Sequence, residues 1–206
     1  MNLIEIRCPV GALDGEDRAQ LAGDITAGLV GDELPVEVPE ETMRRARAMT
    51  HVGFLALNGW TTGDGPWQPG ATPPLWITMT VPDRWRDETA RHAIGWFRRA
   101  VRRLDARHGW ERSVGDLWID VAGVPDGSIG LDGRPATADD VLATMTAEFR
   151  ARADASEADL PEGVVVDPIC GMTVKLGKGA ITVEDHGVTV GFCAQACRDA
   201  YVRQVV

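Results

Sequence analysis

The amino-acid sequence predicts an α+β protein in which a tandem β-α-β domain with a four-stranded sheet precedes a small cysteine module made of a β-hairpin and a helix. Two observations support this prediction. Strand-like segments and amphipathic helical segments alternate twice within residues 1–150, and three of the four cysteines lie at or beyond Cys170. Residues 151–163 lack strong apolar periodicity and end with a Pro and a Gly, which is typical of a linker, so the module occupies residues 164–206.

The first β-α-β unit begins with an apolar segment at Leu3–Pro9, which predicts a strand. A helix is expected from about Glu16, because apolar side chains recur there at helical spacing, at Leu21, Ile25 and Leu29. The segment His51–Leu57 predicts the second strand of the unit.

The second unit repeats this order. The segment Gly59–Pro74, rich in Gly, Pro and Thr, predicts a hairpin and a connector between the units. A strand is then predicted at Leu75–Val81, a helix at Asp87–His108 and a strand at Leu117–Val121. The apolar stripe of that helix is formed by Ile94, Phe97, Val101 and Leu104.

Strands joined through a helix of this length are parallel neighbours with a right-handed crossover, and the helix covers one face of the pair. Two such units pair into a four-stranded sheet whose other face is left apolar and without a partner. We therefore expect a homotrimer built around these sheets.

The charge of the chain argues against nucleic acid as a partner, because its net charge is −10 and a phosphate backbone is bound mainly through surplus Lys and Arg. Four arginines flank the second helix, and we interpret them as a solvated helix face: Arg98, Arg99, Arg102 and Arg103. No run of eighteen apolar residues predicts a membrane span, and the N-terminus lacks the basic and apolar regions of a signal peptide. We therefore expect a cytoplasmic protein with no membrane partner.

The cysteine spacing in the module is the most informative pattern in the chain. Twenty-two residues separate Cys170 from Cys193, and three separate Cys193 from Cys197. The intervening Ala180–Phe192 segment alternates in strand fashion about a turn at residues 185–187, which predicts a hairpin that returns Cys193 to Cys170. A short helix then places Cys193 and Cys197 on one face, so three thiols are expected to converge.

Three converging thiols favour a metal site over two alternatives, in which the cysteines are small core residues or Cys193 and Cys197 form a redox pair. A module of about forty residues buries too little apolar surface to be stable alone, and a bound metal commonly supplies the missing free energy. Thiolates suit a soft or borderline cation, so Zn(II) or Cu(I) is expected. Three sulfurs leave one tetrahedral position, for which His186, Asp167, water or a neighbouring chain are candidates; of the protein groups, His186 is favoured.

The domain at residues 1–150 resembles the tautomerase superfamily, in which 4-oxalocrotonate tautomerase-like β-α-β units occur in tandem. The resemblance is carried by Asn2–Pro9, by Gly15–Ala22, and by Val121–Gly130 with Gly133 and Arg134. It implies a trimer and a catalytic N-terminal proline, but Asn2 stands at that position and its amide has no basic nitrogen. The family residue that grips a substrate carboxylate is matched by Arg84 in the second unit, so a small carboxylate is a possible ligand.

The module resembles the YHS domain and the related TRASH metal-sensing modules. The shared features are the Asp-Pro-x-Cys-Gly-Met start at Asp167–Met172 and the Phe-Cys-x-x-x-Cys end at Phe192–Cys197. The chain departs from the family at Gly191, where an aromatic residue is usual, and at Ala194, where Ser is usual. This resemblance implies that Cys170, Cys193 and Cys197 ligate a metal.

These patterns favour a metal-binding protein, for transition-metal handling or sensing, on a tautomerase-like scaffold without its catalytic amine. The alternative is an isomerase or hydratase of a small unsaturated or keto acid that uses another base, with Arg84 binding the acid. Cys8, at the end of the first strand, is interpreted as a small buried apolar residue rather than a nucleophile. A third possibility is an interaction module in which neither site is active.

Overall fold

The computed structural model describes residues 2–34, 38–152 and 160–205, and it has the predicted α+β architecture. A four-stranded sheet carries two long helices on one face, and the cysteine module packs beside it. None of the described helices is long and apolar enough to cross a membrane.

The first unit consists of strand β1 (Asn2–Pro9), helix α1 (Gly15–Val30) and strand β2 (Thr50–Leu57), and the two strands pair in parallel. Helix α1 begins at a capping box, in which the Asp14 side chain accepts the Asp17 N–H and the Asp17 side chain accepts the Asp14 N–H. The predicted strand and helix positions of this unit agree with the structure. An additional helix, α2 (Glu40–Ala48), precedes β2 and was not predicted.

A short hairpin of β3 (Thr61–Thr62) and β4 (Gly65–Pro66) leads to the second unit. That unit consists of strand β5 (Leu75–Pro82), a single 3₁₀ turn (Asp83–Trp85), helix α3 (Arg86–His108) and strand β6 (Leu117–Val124). Strand β5 pairs in parallel with β6. The sheet order is β2-β1-β5-β6, because β1 and β5 pair antiparallel at its centre.

The core lies between the sheet and helices α1 and α3. Alternate side chains of β1 and β5 point to this side, as the period of two requires. They pack against Leu21 and Ile25 of α1 and against Phe97, Val101 and Leu104 of α3. Ile94, expected in the same stripe, is instead 40% exposed. The buried strand residues are Ile4, Ile6, Cys8, Leu75, Ile77, Met79 and Val81.

The sequence predicts an apolar surface on the opposite face of the sheet. In the structure this face is not uniformly apolar. At its centre Arg7 donates a hydrogen bond to Thr78 (3.2 Å), and Thr78 donates one to Asp120 (3.1 Å). Large apolar side chains surround this polar centre, and Trp76 and Trp118 are 47% and 62% exposed. The homotrimer thus remains a prediction, with a mixed surface as its candidate interface.

The rest of the domain is a hairpin of β7 (Ile129–Leu131) and β8 (Arg134–Ala136), followed by helix α4 (Ala138–Arg152). Helix α4 was not predicted. It packs against α2, and Glu148 forms ion pairs with Arg44 and Arg45 of that helix. Within the predicted linker, residues 153–159 lie outside the described part of the chain.

The cysteine module contains two antiparallel strand pairs and one helix. Strand β9 (Val164–Val166) pairs with β10 (Thr173–Lys175), and β11 (Ile181–Asp185) pairs with β12 (Val188–Phe192) in the predicted hairpin. Helix α5 (Gln195–Val205) follows. Arg203 of α5 forms a 2.5 Å ion pair with Asp139 of α4, so the module packs on its own domain.

Candidate metal centre

Three separate elements of the module supply the thiols. Cys170 lies in the loop between β9 and β10, Cys193 directly follows β12, and Cys197 lies in the first turn of α5. The Sγ atoms of Cys170 and Cys193 are 3.4 Å apart, and those of Cys193 and Cys197 are 3.7 Å apart. All three cysteines are free thiols, so the structure brings the three predicted residues together without a disulfide.

Local backbone geometry explains this convergence. The β11–β12 hairpin turns through His186 and Gly187, both with positive φ (48° and 82°), a geometry typical of a tight two-residue hairpin turn. Gly171, beside Cys170, has a φ of 80°, which glycine adopts most readily. A Cβ atom at Gly171 would also collide with the Phe149 ring and with Pro39. The Cys170 loop therefore needs glycine for its conformation and for its close approach to the domain.

Asp167 joins the Cys170 loop to Cys193. Its side chain is fully buried, and its two carboxylate oxygens accept the N–H groups of Ile169 (2.8 Å) and Cys193 (2.9 Å). A carboxylate oxygen of Asp167 and the three Sγ atoms all lie within 4.8 Å of one another. Burial, followed by the charge on Cys170, raises the pKa of Asp167. Asp167, one of the alternatives considered from the sequence, is thus the fourth member of the cluster.

The structure does not bring His186 to the thiols. His186 lies in the hairpin turn with a side chain that is 94% exposed, and its nearest acidic neighbour is Asp185 at 3.6 Å. The five residues of β12 separate this turn from Cys193, a span of roughly 16 Å at the usual rise of a strand. The hairpin that returns Cys193 to Cys170 thereby holds His186 at its far end. His186, the favoured fourth ligand, therefore lies away from the three thiols.

The three thiols of the cluster differ in pKa. Hydrogen bonds from the Cys193 and Cys197 thiols lower the pKa of Cys170 to about 4. The pKa values of Cys193 and Cys197 are raised, because their protons are held in hydrogen bonds within the cluster and because burial and neighbouring negative charge oppose ionisation. Ionisation of the cluster is therefore favoured at Cys170, whose sulfur accepts hydrogen bonds from the other two thiols.

The thiols form part of the wall of a cavity of about 360 Å³ between the module and the domain. Four methionines and two tryptophans supply much of the remaining wall: Met43, Met79, Met145, Met172, Trp85 and Trp96. Glu88 and His92 are its ionisable groups besides the cysteines among the described residues, and none of those lining residues is Lys or Arg. The cavity is thus mostly apolar, with a soft, anionic cluster at one side.

Asn2 also lines this cavity, at the position that the family resemblance assigns to the catalytic proline. Its backbone N–H donates to the Met49 carbonyl (2.9 Å), and its side-chain amide donates to Thr50 (3.2 Å). Both nitrogens are therefore occupied as donors, and neither is a base. Cys8 is fully buried in the core, where burial raises the pKa of its thiol.

Arg84, the candidate carboxylate-binding residue, does not line the cavity beside the thiols. Its guanidinium pairs with Asp126 (2.6 Å) and Asp139 (3.4 Å) on the other side of the 3₁₀ turn. Arginines instead line a separate depression of about 790 Å³ between α3 and β6, where Arg112 pairs with Asp105 at 2.5 Å. Neither Arg84 nor the arginines of that depression line the cavity beside the thiols.

The chain was compared with protein families, curated proteins and solved structures. No protein-family model and no curated protein matches the chain. Among solved structures, a fused 4-OT wild type asymmetric trimer is 16% identical with a TM-score of 0.47, and the match covers 65% of this chain and 95% of that chain. A member of the cis-3-chloroacrylic acid dehalogenase family is 16% identical with a TM-score of 0.44, covering 78% and 93%. A probable enzyme from the fungus Aspergillus fumigatus is 17% identical with a TM-score of 0.46, covering 66% and 83%.

Proposed function

We propose that this protein binds one transition-metal ion per chain through Cys170, Cys193 and Cys197, and that it handles or senses that metal. The observation that carries the proposal is the separation of the three sulfurs, 3.4 Å and 3.7 Å, beside a buried carboxylate. A tautomerase-like domain without a catalytic amine is then the scaffold for the metal module, which occupies residues 164–206 and resembles a YHS domain.

The polarity of the cluster favours a metal over simple packing. Cysteines that only fill space are usually surrounded by apolar groups, whereas these lie beside a fully buried aspartate. Burying a carboxylate and a thiolate together is costly unless a cation compensates the charge. A divalent or monovalent soft cation would do so, and the sulfur donors favour Zn(II) or Cu(I). Free thiols of this kind persist in a reducing compartment, so we place the protein in the cytoplasm.

The alternative enzymatic function has less support from the described residues. Neither Asn2 nor Cys8 supplies a base to the cavity, and Arg84 is paired with two carboxylates away from it. A carboxylate substrate would therefore meet negative charge in the cavity without a compensating cation. The metal site explains the same residues without an added assumption.

The test is the metal content of protein purified without an affinity tag. We expect about one equivalent of metal in native protein and a loss of affinity greater than about 100-fold in Cys193→Ser, because changes outside the ligand set alone cost about 10- to 100-fold. Cys8→Ala is the matched control, since it removes a buried thiol outside the cluster and should leave the metal content unchanged. Equal metal content in native protein and Cys193→Ser would refute the proposal.

A further inference from the structure

The cavity beside the thiols is much larger than a metal ion requires. Its volume of about 360 Å³ falls in the range of small-molecule sites, roughly 300–1,000 Å³, whereas a water molecule occupies about 30 Å³. Helices α2, α3 and α4 of the domain form its wall together with the module. A metal-binding module needs none of these domain residues for its ligands, so the cavity calls for a second occupant.

The charges around the cavity limit what that occupant can be. Its described lining residues include no Lys or Arg, and the Asp167 carboxylate lies beside the three thiols. The Glu88 carboxylate is used to accept the N–H of Gln195 (3.2 Å) at the start of α5. Away from the metal, a charged group on the ligand would therefore lose its hydration without gaining a protein cation. Apart from the atom that meets the metal, the occupant must be an uncharged, apolar body.

The donor set indicates how such a molecule would be held. Both oxygens of Asp167 already accept backbone N–H groups, so three thiolates are the obvious protein ligands and one tetrahedral position is left for an outside donor. The wall next to the thiols is rich in polarisable groups, the thioethers and indoles of Met145, Met172 and Trp85. These surroundings suit a sulfur donor better than an oxygen donor.

From these observations, and resting on the proposed metal site, we infer that the cavity binds a small apolar thiol whose sulfur completes the coordination of the metal. The apolar body lies among the methionines and tryptophans of the domain. On binding, the thiol releases its proton to solvent and coordinates as a thiolate, and no electrons are transferred. The protein would thereby recognise a metal and an organic thiol together.

The experiment uses full-length protein loaded with Co(II), whose visible bands report the number of sulfur ligands. Benzyl mercaptan is titrated as the apolar thiol, mercaptoacetate as a thiol with a carboxylate, and benzyl alcohol as an apolar body without sulfur. Ala46→Phe places a ring into the cavity from α2, and Ala48→Phe is the control, because Ala48 is exposed on the same helix and does not line the cavity.

We expect benzyl mercaptan to shift the Co(II) bands and to bind at least about tenfold more tightly than mercaptoacetate, with no shift from benzyl alcohol. Ala46→Phe should weaken benzyl mercaptan binding at least about tenfold while Co(II) affinity stays unchanged, and Ala48→Phe should behave as native. Equal affinity for the two thiols, or native affinity for benzyl mercaptan in Ala46→Phe, overturns this inference but leaves the proposed metal site standing. Failure of native protein to bind Co(II) at all overturns the proposed metal site, and the inference falls with it.

Discussion

Asp167 shows how one residue organises the cluster without needing to ligate the metal. Its carboxylate accepts N–H groups on both sides, from Ile169 and from Cys193, which lie on segments far apart in sequence. A buried N–H without an acceptor costs about 1–3 kcal/mol, so this single side chain fixes both loops in one arrangement. The Asp-Pro-x-Cys pattern is therefore explained by loop positioning as well as by donor chemistry.

The different pKa values of the three thiols lead to a prediction about the pH dependence of metal binding. At pH 7 Cys170 is ionised, because its pKa is lowered to about 4, while Cys193 and Cys197 keep their protons. Metal binding to three thiolates should thus release about two protons per ion, and the apparent affinity should fall about 100-fold for each unit of pH decrease above pH 4. Potentiometric titration in weak buffer measures the release. Three protons released at pH 7 would show that Cys170 is not pre-ionised.

At the scale of elements, the sequence predicted those strands and helices whose pattern is continuous. The two β-α-β units and the β11–β12 hairpin agree with the structure, because their apolar residues repeat with a clear period. Helix α2 buries only Thr42 and Met43 among its described residues, so its apolar signal is too short to identify. Helix α4 is shared between the domain core and the module core, which hides its periodicity.

The site was also predictable only in part, where a local sequence pattern determines the geometry. The spacing of the cysteines and the hairpin between them imply that the chain returns, and the structure brings their sulfurs together. The distance of His186 from the thiols follows from the length of β12, which can be read from the sequence. The preference for His186 as a ligand considered only the chemistry of its imidazole and not this distance. The cavity depends on α2 and α4 packing against the module, a set of tertiary contacts that no local pattern encodes.

The composition of the module core predicts how the module responds to metal removal. Its core contains Cys170 and Cys197 themselves, with Ile169, Phe192 and the domain residue Leu142. A chelator should therefore leave residues 2–150 folded and raise amide exchange in β9–β12 and α5, since loss of the metal removes the bonds that join the Cys170 loop, the end of β12 and the start of α5. Hydrogen exchange with and without chelator measures this difference. Equal protection of the module in both states would mean that apolar packing alone holds it.

At the scale of the whole molecule, the open face of the sheet is the candidate interface for self-association. Trp76 and Trp118 are partners in the β5–β6 register and both are exposed, on the same face as Leu55, from which Arg7 separates them. Their burial in a trimer would remove a large apolar surface from water, and the central Arg7–Thr78–Asp120 hydrogen bonds would limit non-specific stacking.

We therefore expect native protein to be a trimer at micromolar concentration and Trp118→Glu to dissociate it, because a charge in an apolar interface loses its hydration. Light scattering gives the mass of each, and circular dichroism serves as the check that the variant is folded. Trp96→Phe, on the opposite side of the sheet, is a control that should leave the mass unchanged. A monomeric native protein would show that this surface has another use.

The contact of Gly171 with Phe149 and Pro39 has an evolutionary consequence. Since no side chain fits at Gly171 beside that ring, the module can rest on this domain only while all three positions keep compatible shapes. Thr42 adds a second constraint, because its hydroxyl donates a buried 3.1 Å hydrogen bond to the Cys170 carbonyl. Substitutions at Gly171, Phe149, Pro39 and Thr42 are therefore expected to be correlated among related sequences.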